Sequence, residues 1–248
     1  MSLRFHEIAE RDHHILNPFT EAQLALLAQI CRLRPGMRQL DLCCGKAELL
    51  CSWAAEYGIA GMGVDISKVF LADARRRAAE LGVAERVALV EADAGKYPVE
   101  PAAYDIVSCI GATWIGGGLA GTLALMKPGL RDRDSLLLVG EPFWLEDAPD
   151  QAYEQIVGGD RDAYLNLAGT LGRIESAGFE LVEMVLADHH GWDRYNAMQW
   201  RAVSDYLRAH PEDPEAGELR AWSDNARRDY LTYGRRYFGW GVFVLRQR

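Results

Sequence analysis

The sequence predicts an α/β fold in which helices cover both faces of a doubly wound, mostly parallel sheet. Three observations predict it. Short apolar runs of strand length alternate with segments of helical periodicity. Each early run closes on a small or acidic residue, and a glycine turn follows the first run and opens the first intervening helix. Parallel strands need a long, right-handed return connection, and a helix supplies one. Sheets of this kind bind ligands outside the carboxyl ends of their strands.

Taken in order, Thr20-Glu21-Ala22-Gln23 reads as the N-cap and first turn of a helix, with Leu24, Leu27, Ala28 and Ile30 at helical spacing. Arg34-Pro35-Gly36 stops it. Residues 37–42 have the length of a buried strand, and Cys43-Cys44-Gly45-Lys46 follows at once. A helix over 47–57 ends at Gly58, and a second strand over 60–64 ends at Asp65. Ser67 caps a helix to Leu81 that Gly82 terminates. Strands over 87–90, 104–110 and 135–139 follow, the last entered through Lys127-Pro128-Gly129. Beyond Gly140 the pattern changes: helix through the 150s to Ala177, a strand over 179–186 and a final strand over 241–245. Between these last two lies an aromatic and charged stretch, 191–237, expected to form two helices broken at His210-Pro211-Glu212-Asp213-Pro214.

The 248 residues suit one large domain with an insertion: 49% are hydrophobic and 25% charged. A formal net charge of -9 repels phosphate backbones and argues against a nucleic-acid partner. The sequence holds no uncharged apolar run of membrane-spanning length, and residues 1–12 lack the apolar segment of a secretory signal. Five cysteines, an odd number with Cys43 and Cys44 adjacent, fit reduced thiols and a cytoplasmic location better than a disulfide framework.

The strand ends carry the functional reading. Asp41 sits at the first, Gly45 in the turn after it, Asp65 at the second and Asp93 at the third. A turn opening a helix presents free backbone N–H groups, and a carboxylate at the second strand end is placed to accept from ribose hydroxyls. The string Asp41-Leu42-Cys43-Cys44-Gly45-Lys46-Ala47 resembles the first motif of class I S-adenosylmethionine (SAM)-dependent methyltransferases, usually Asp-Leu-Gly-Cys-Gly-x-Gly. Gly63-Val64-Asp65-Ile66-Ser67, Glu91-Ala92-Asp93-Ala94 and Lys127-Pro128-Gly129 resemble later landmarks of that family in the same order. Gly111-Ala112-Thr113-Trp114-Ile115, Gly140-Glu141-Pro142-Phe143-Trp144 and Gly191-Trp192-Asp193-Arg194-Tyr195 look like a bacterial small-molecule methyltransferase subgroup.

The resemblance implies a Rossmann-like, seven-stranded sheet with an antiparallel last strand and a helical insertion before it. The single domain over 1–248 would comprise a helical cap segment (1–34), a SAM-binding half (35–145) and a lid (188–237). It implies SAM as cofactor, with direct in-line transfer of its methyl group to a small-molecule acceptor. Asp41, Cys43 and Gly45 would lie beside the methionine part, Asp65 would take the ribose hydroxyls, and Ile66 would pack on the adenine. Asp93 and Ala94 would meet the adenine amine, and Ile110 and Gly111 would floor the sulfonium. Only Gly45 survives of the three motif glycines. A positive φ at Cys43 would cost roughly 1–2 kcal/mol.

Methyl transfer asks the protein for alignment and, for poor nucleophiles, a base. Glu141 is the preferred base or clamp, against the plainer reading of a loop carboxylate. His14 and Asn17 precede the domain where the family folds a segment over the cofactor, so His14 is a second catalytic candidate and Asn17 a pocket one. Trp114, Trp144, His189 and Trp192 are candidate pocket walls. Asp188-His189-His190 invites a metal reading, but adjacent residues rarely chelate one ion, and no metal is expected. The cysteines read as small buried hydrophobes rather than a thiol-reactive site. Two other functions stay open. One is a non-catalytic SAM- or partner-binding module with the aromatic insertion as interface. The other is a nicotinamide oxidoreductase, against which Cys43-x-Gly45-x-x-Glu48 lacks both outer glycines of G-x-G-x-x-G.

Overall fold

A computed structural model describes residues 2–248. Seven strands form one sheet: β1 Arg38–Leu42, β2 Ala60–Asp65, β3 Val87–Glu91, β4 Ile106–Ile110, β5 Leu136–Trp144, β6 Phe179–Leu186 and β7 Phe238–Gln247. Their spatial order is β3-β2-β1-β4-β5-β7-β6. The first five pair in parallel, and β7 runs antiparallel to both β5 and β6. The order reverses beside β1, between β1 and β4, so the crevice expected at a switch point opens over their carboxyl ends.

The helices form where caps and periodicity place them. Helix α1 spans Leu3–Ala9 and α2 Glu21–Ile30, the latter opened by the complete Thr20–Gln23 capping box. Helix α3 (Glu48–Tyr57) ends on left-handed Gly58, and α4 (Lys68–Glu80) starts at Ser67, whose hydroxyl accepts from the Phe70 N–H. Then come α5 Leu119–Met126, α6 Asp150–Val157 and α7 Leu167–Ser176. The insertion is α8 (His189–Ala209) and α9 (Ala216–Asp229), separated at 210–215, then a π-helical turn Tyr230–Gly234 and a last turn α10 (Arg235–Tyr237).

Alternation along the strands divides the core in two. Ile106, Leu138 and Val244 face a layer holding Leu27 of α2 and Leu50 and Trp53 of α3. Leu42, Val107, Val139 and Phe243 face the layer of Leu123 of α5 and Ile174 of α7. A third, smaller cluster joins Phe5 of α1 to Val203 and Leu207 of α8 and Leu219 of α9. Full burial of a side chain such as Phe5 is worth about 1.5–3 kcal/mol, so the first helix is bound to the insertion.

One expectation is corrected. Strand β5 does not stop at 139 but continues to Trp144, so Glu141 and Trp144 are strand residues paired with Gly241 and Phe238 of β7, not loop residues beyond the strand. Arg77 of α4 makes a bidentate pair with Glu48 of α3.

Candidate active site

At the head of β1, Asp41 is buried and its Oδ1 accepts a 2.6 Å hydrogen bond from Ser108 Oγ on β4. Ser108 in turn accepts from Gln39 Nε2 at 2.9 Å. Burial pushes the Asp41 carboxyl up to about 7, against the Ser108 bond and with help from the nearby Asp65 charge. The turn that follows carries three left-handed residues: Cys43 at φ 59, Gly45 at φ 54 and Ala47 at φ 53. Glycine occupies only one of these positions, and each of the other two costs about 1–2 kcal/mol.

The Gly45 N–H donates to Asp65 Oδ2 at 2.8 Å, while Asp65 Oδ1 accepts from the Ser67 N–H at 2.8 Å. Each carboxylate oxygen keeps a lone pair for a further donor. Ile66, next along, is 59% exposed and offers an apolar face. The end of β3 lies alongside, since the Ala92 N–H donates to the Asp65 carbonyl. Asp93 there caps the turn Ala94–Lys96 through the Gly95 N–H at 3.0 Å and pairs with Lys96. On the other side of β1, Ile110 leads into Gly111 at φ 84, whose N–H donates to the Gly140 carbonyl at 2.8 Å. The structure thus gathers Asp41, Cys43, Gly45, Asp65, Ile66, Asp93, Ala94, Ile110 and Gly111 along the carboxyl edge of β1–β4.

The segment before β1 closes over this edge. Leu16 seats on Gly45 so tightly that a methyl group there would lie 2.6 Å from Leu16 Cδ1. Glu7 accepts from Ser67 Oγ at 2.6 Å, and His6 packs edge-on to Phe70, its ring centroid 5.5 Å away. Lys46 Nζ donates to the carbonyls of Glu10, Arg11 and His13 at 2.9, 2.8 and 2.8 Å. The Glu10 carboxyl, fully buried, accepts from Tyr195 Oη and Gln199 Nε2 of α8, both at 2.6 Å.

The remaining candidates divide. Asn17 Oδ1 and Trp192 Nε1 are buried polar atoms without hydrogen-bond partners. They belong to facing backbone stretches, because the Pro18 carbonyl lies 2.6 Å from where a Cβ would stand on Gly191. Trp192 packs on the layer that holds Ile110, Phe19 and Trp240. His14 is exposed and lies near Glu48; against burial, Arg77, Ser52 and this His14 hold Glu48 below its ordinary range. His189 is exposed, and Trp114, at 68%, is too. Trp144 is packed between Tyr153 and Phe238.

Glu141 alternates onto the face of Val139 and Phe143, opposite to the face of Asp41. It is buried, its Oε1 has no partner, and burial pushes it up to about 7 against a hydrogen bond from Thr113. Among the described residues no three His, Cys, Asp or Glu side chains are grouped to hold a metal ion. Among the described residues no helix is long and apolar enough to cross a membrane.

Glu7, Glu10, Leu16, Lys46, Ser108 and Trp240 escape sequence reasoning. Only Lys46, a lone cation inside the glycine turn, and Ser108, polar in an apolar strand, leave a signal there.

A seven-stranded doubly wound sheet with an antiparallel seventh strand, carrying an acidic pair around a glycine turn, defines the class I methyltransferase architecture. The family described as a methyltransferase domain matches residues 40–129. The uncharacterized protein YjhP of Escherichia coli (strain K12) is 44% identical over 243 residues, 98% of this chain and 97% of that protein. A solved SAM-dependent methyltransferase from Geobacter sulfurreducens, in complex with S-adenosyl-L-homocysteine, is 42% identical with a TM-score of 0.94, covering 100% of this chain and 99% of that one. Another from Thiobacillus denitrificans, also with S-adenosyl-L-homocysteine, is 40% identical with a TM-score of 0.93 over the same shares. This chain belongs to the SAM-dependent methyltransferases.

Proposed function

We propose that the edge built by Asp41, Gly45 and Asp65 holds SAM and that the methyl group goes to a small molecule. The observation that carries this reading is the hydrogen bond from the Gly45 N–H to Asp65, which fixes a charged acceptor and the glycine turn on one crevice beside buried Asp41. Asp65 keeps two free lone pairs for the ribose hydroxyls, Ile66 offers an apolar face to the adenine, and Asp93 with the Ala94 backbone stands where the adenine amine would be met. Asp41 and Cys43 face the methionine part, and Ile110 and Gly111 make the floor.

Bound there, SAM supplies an activated methyl on a sulfonium, open to direct in-line attack by a nucleophile. The protein's share is to align and to keep water out. The strap before β1 and the first turns of α8 do the latter, acting as cap and lid over a SAM-binding half. The acceptor lies between them, where Asn17 Oδ1 can accept and Trp192 Nε1 can donate. Glu141, on the opposite face of the sheet from Asp41 and with a carboxyl that burial pushes up to about 7, serves as a proton-holding group only if the acceptor reaches the far side of β5. His14, Trp114, Trp144 and His189 stand at greater remove and would act only if the cover shifts. The soluble-cytoplasm reading rests on the reduced cysteines and the unbroken globular pattern.

Calorimetry with SAM, S-adenosylhomocysteine and NADH tests the proposal. Binding of the first two and not the third is expected. Asp65→Ala removes bonds to a charged acceptor, each worth roughly 1.5–3 kcal/mol, and should weaken SAM binding by about tenfold or more. Unchanged affinity would remove the assignment.

A further inference from the structure

The glycine turn is held in a conformation that its own sequence disfavours. Cys43 and Ala47 take left-handed φ values of 59 and 53 without being glycine. Something outside the turn must keep them there, and Lys46, between Gly45 and Ala47, is the residue that leaves it. Its ammonium is buried and spends its donors on three main-chain carbonyls of the strap, Glu10, Arg11 and His13, with the Asp73 carboxylate of α4 at 3.2 Å. Stripped of the strap carbonyls while still buried, the ammonium would keep only Asp73, so the clasp is costly to break part-way.

The far side of the clasp is rigid in its own right. Glu10 Oε1 takes the two bonds from Tyr195 and Gln199 of α8. Glu10 Oε2 and His13 Nδ1 have no other partner and stand 3.1 Å apart, and His13 Nε2 meets the Tyr195 carbonyl at 3.1 Å. With His13 Nε2–H donating to the carbonyl of Tyr195, every atom is satisfied either by a neutral Glu10 carboxyl donating to His13 Nδ1 or by an imidazolium donating to the carboxylate, and burial favours the neutral pair. Burial drives both groups the same way, Glu10 up to about 7 and His13 down to about 4. The strap therefore presents Lys46 with fixed carbonyls, tied to α8 behind them, while Leu16 presses on Gly45 from the same segment.

We propose that Lys46 is a positioning residue for the cofactor: by clasping the strap it holds the Cys43–Ala47 turn in its binding shape, in place of the two missing glycines. The N-terminal strap is then part of the SAM site rather than a cover laid over it. This rests on the SAM reading above, and the test separates the two.

Binding of S-adenosylhomocysteine is measured by calorimetry for the wild-type chain, Asp65→Ala, Lys46→Met, Lys46→Arg, Cys43→Gly/Ala47→Gly, and the triple variant Lys46→Met/Cys43→Gly/Ala47→Gly. Circular dichroism and limited trypsin cleavage at Arg4 and Arg11 accompany it. Lys46→Met should keep its circular dichroism, open the strap to trypsin and lose about tenfold or more in affinity. The glycine pair changes a residue placed beside the methionine part, so its own affinity is the reference for the triple variant. The triple variant should bind within about threefold of the glycine pair while its strap stays cleavable, which a merely structural lysine would not allow. Wild-type affinity in Lys46→Met, or no recovery in the triple variant, overturns the proposal. If Lys46→Met does not fold, Lys46→Gln takes its place with the same two readings. Absent binding by the wild type, or an unaffected Asp65→Ala, fails the SAM reading instead.

Discussion

Gly45 shows how much of this site is decided by single atoms. Its φ of 54 and the 2.6 Å gap to Leu16 Cδ1 act together. In Gly45→Ala the left-handed backbone costs about 1–2 kcal/mol, and the methyl group also pushes Leu16 off the turn. Leu16 is a flexible side-chain end and yields, so the chain should still fold. Thermal unfolding should show a midpoint lower by several degrees, since about 1 kcal/mol shifts a domain of this size by roughly 2–4 °C. An unchanged midpoint would mean that the turn is relaxed.

Glu141 is decided by its environment in the same way. Its folded-state carboxyl titrates at about 7, above its ordinary 4.5, because burial disfavours the charge. The unfolded chain loses this proton first, so the folded state binds more protons between these values, and stability falls as pH rises through that window. Glu141→Gln removes the titration. The variant should be more stable than wild type at pH 8, by an amount on the order of 1–3 kcal/mol. At pH 4 the two should be alike. If Gln also slows turnover while sparing SAM affinity, the proton-holding role stands; equal loss of both makes the residue structural.

At the scale of elements, the joint between the strap and α8 is the distinctive feature. Tyr195→Phe deletes the 2.6 Å bond to Glu10 and leaves Gln199 as the other donor to that oxygen. Loss of one bond to a buried group should cost about 1–3 kcal/mol. Amide exchange should quicken in α1 and in the first half of α8 together, while β1 and β4 keep their protection. Quickening in α1 alone would mean that the two covers are independent.

This joint is also where sequence reasoning stops. The Thr20 capping box and the Ser67 cap are local patterns, and the structure uses them as read, while the acids stand at the early strand ends where the sequence places them. The partners of Lys46 are main-chain carbonyls, which carry no side-chain signature, so the clasp is invisible before folding. His13 and His14 are indistinguishable as neighbours, yet the turn buries the first and exposes the second. The extension of β5 through Pro142 is hidden for a further reason. A proline argues against a central strand, but β4 ends opposite Gly140 and the Asn166 bridge is reached only at Trp144, so at Pro142 β5 pairs with β7 alone and proline is tolerated on the free side.

For the whole molecule, buried carboxyls invert the usual acid response. Glu10, Asp41 and Glu141 are each pushed up to about 7 by burial. Each makes the folded state hold a proton that the unfolded chain has released, so each lowers stability as pH rises from the ordinary carboxylate range to neutrality. His13 works the other way. Burial pushes it down to about 4, so folding expels its proton and it favours stability as pH rises toward its ordinary 6.5. Three groups outweigh one, and the protein without cofactor should be more stable near pH 5 than near pH 8 in denaturant unfolding.

A cationic ligand beside Asp41 changes that balance, because a nearby positive charge favours the ionised carboxylate. At pH 6 Asp41 must then release a proton as SAM binds, whereas at pH 8 it has already done so. Affinity for SAM should therefore rise from pH 6 to pH 8. The binding heat at pH 6 should vary with the ionisation enthalpy of the buffer, and Asp41→Asn should abolish both effects. A binding heat independent of buffer at pH 6 would place the positive charge of the cofactor elsewhere, away from the head of β1.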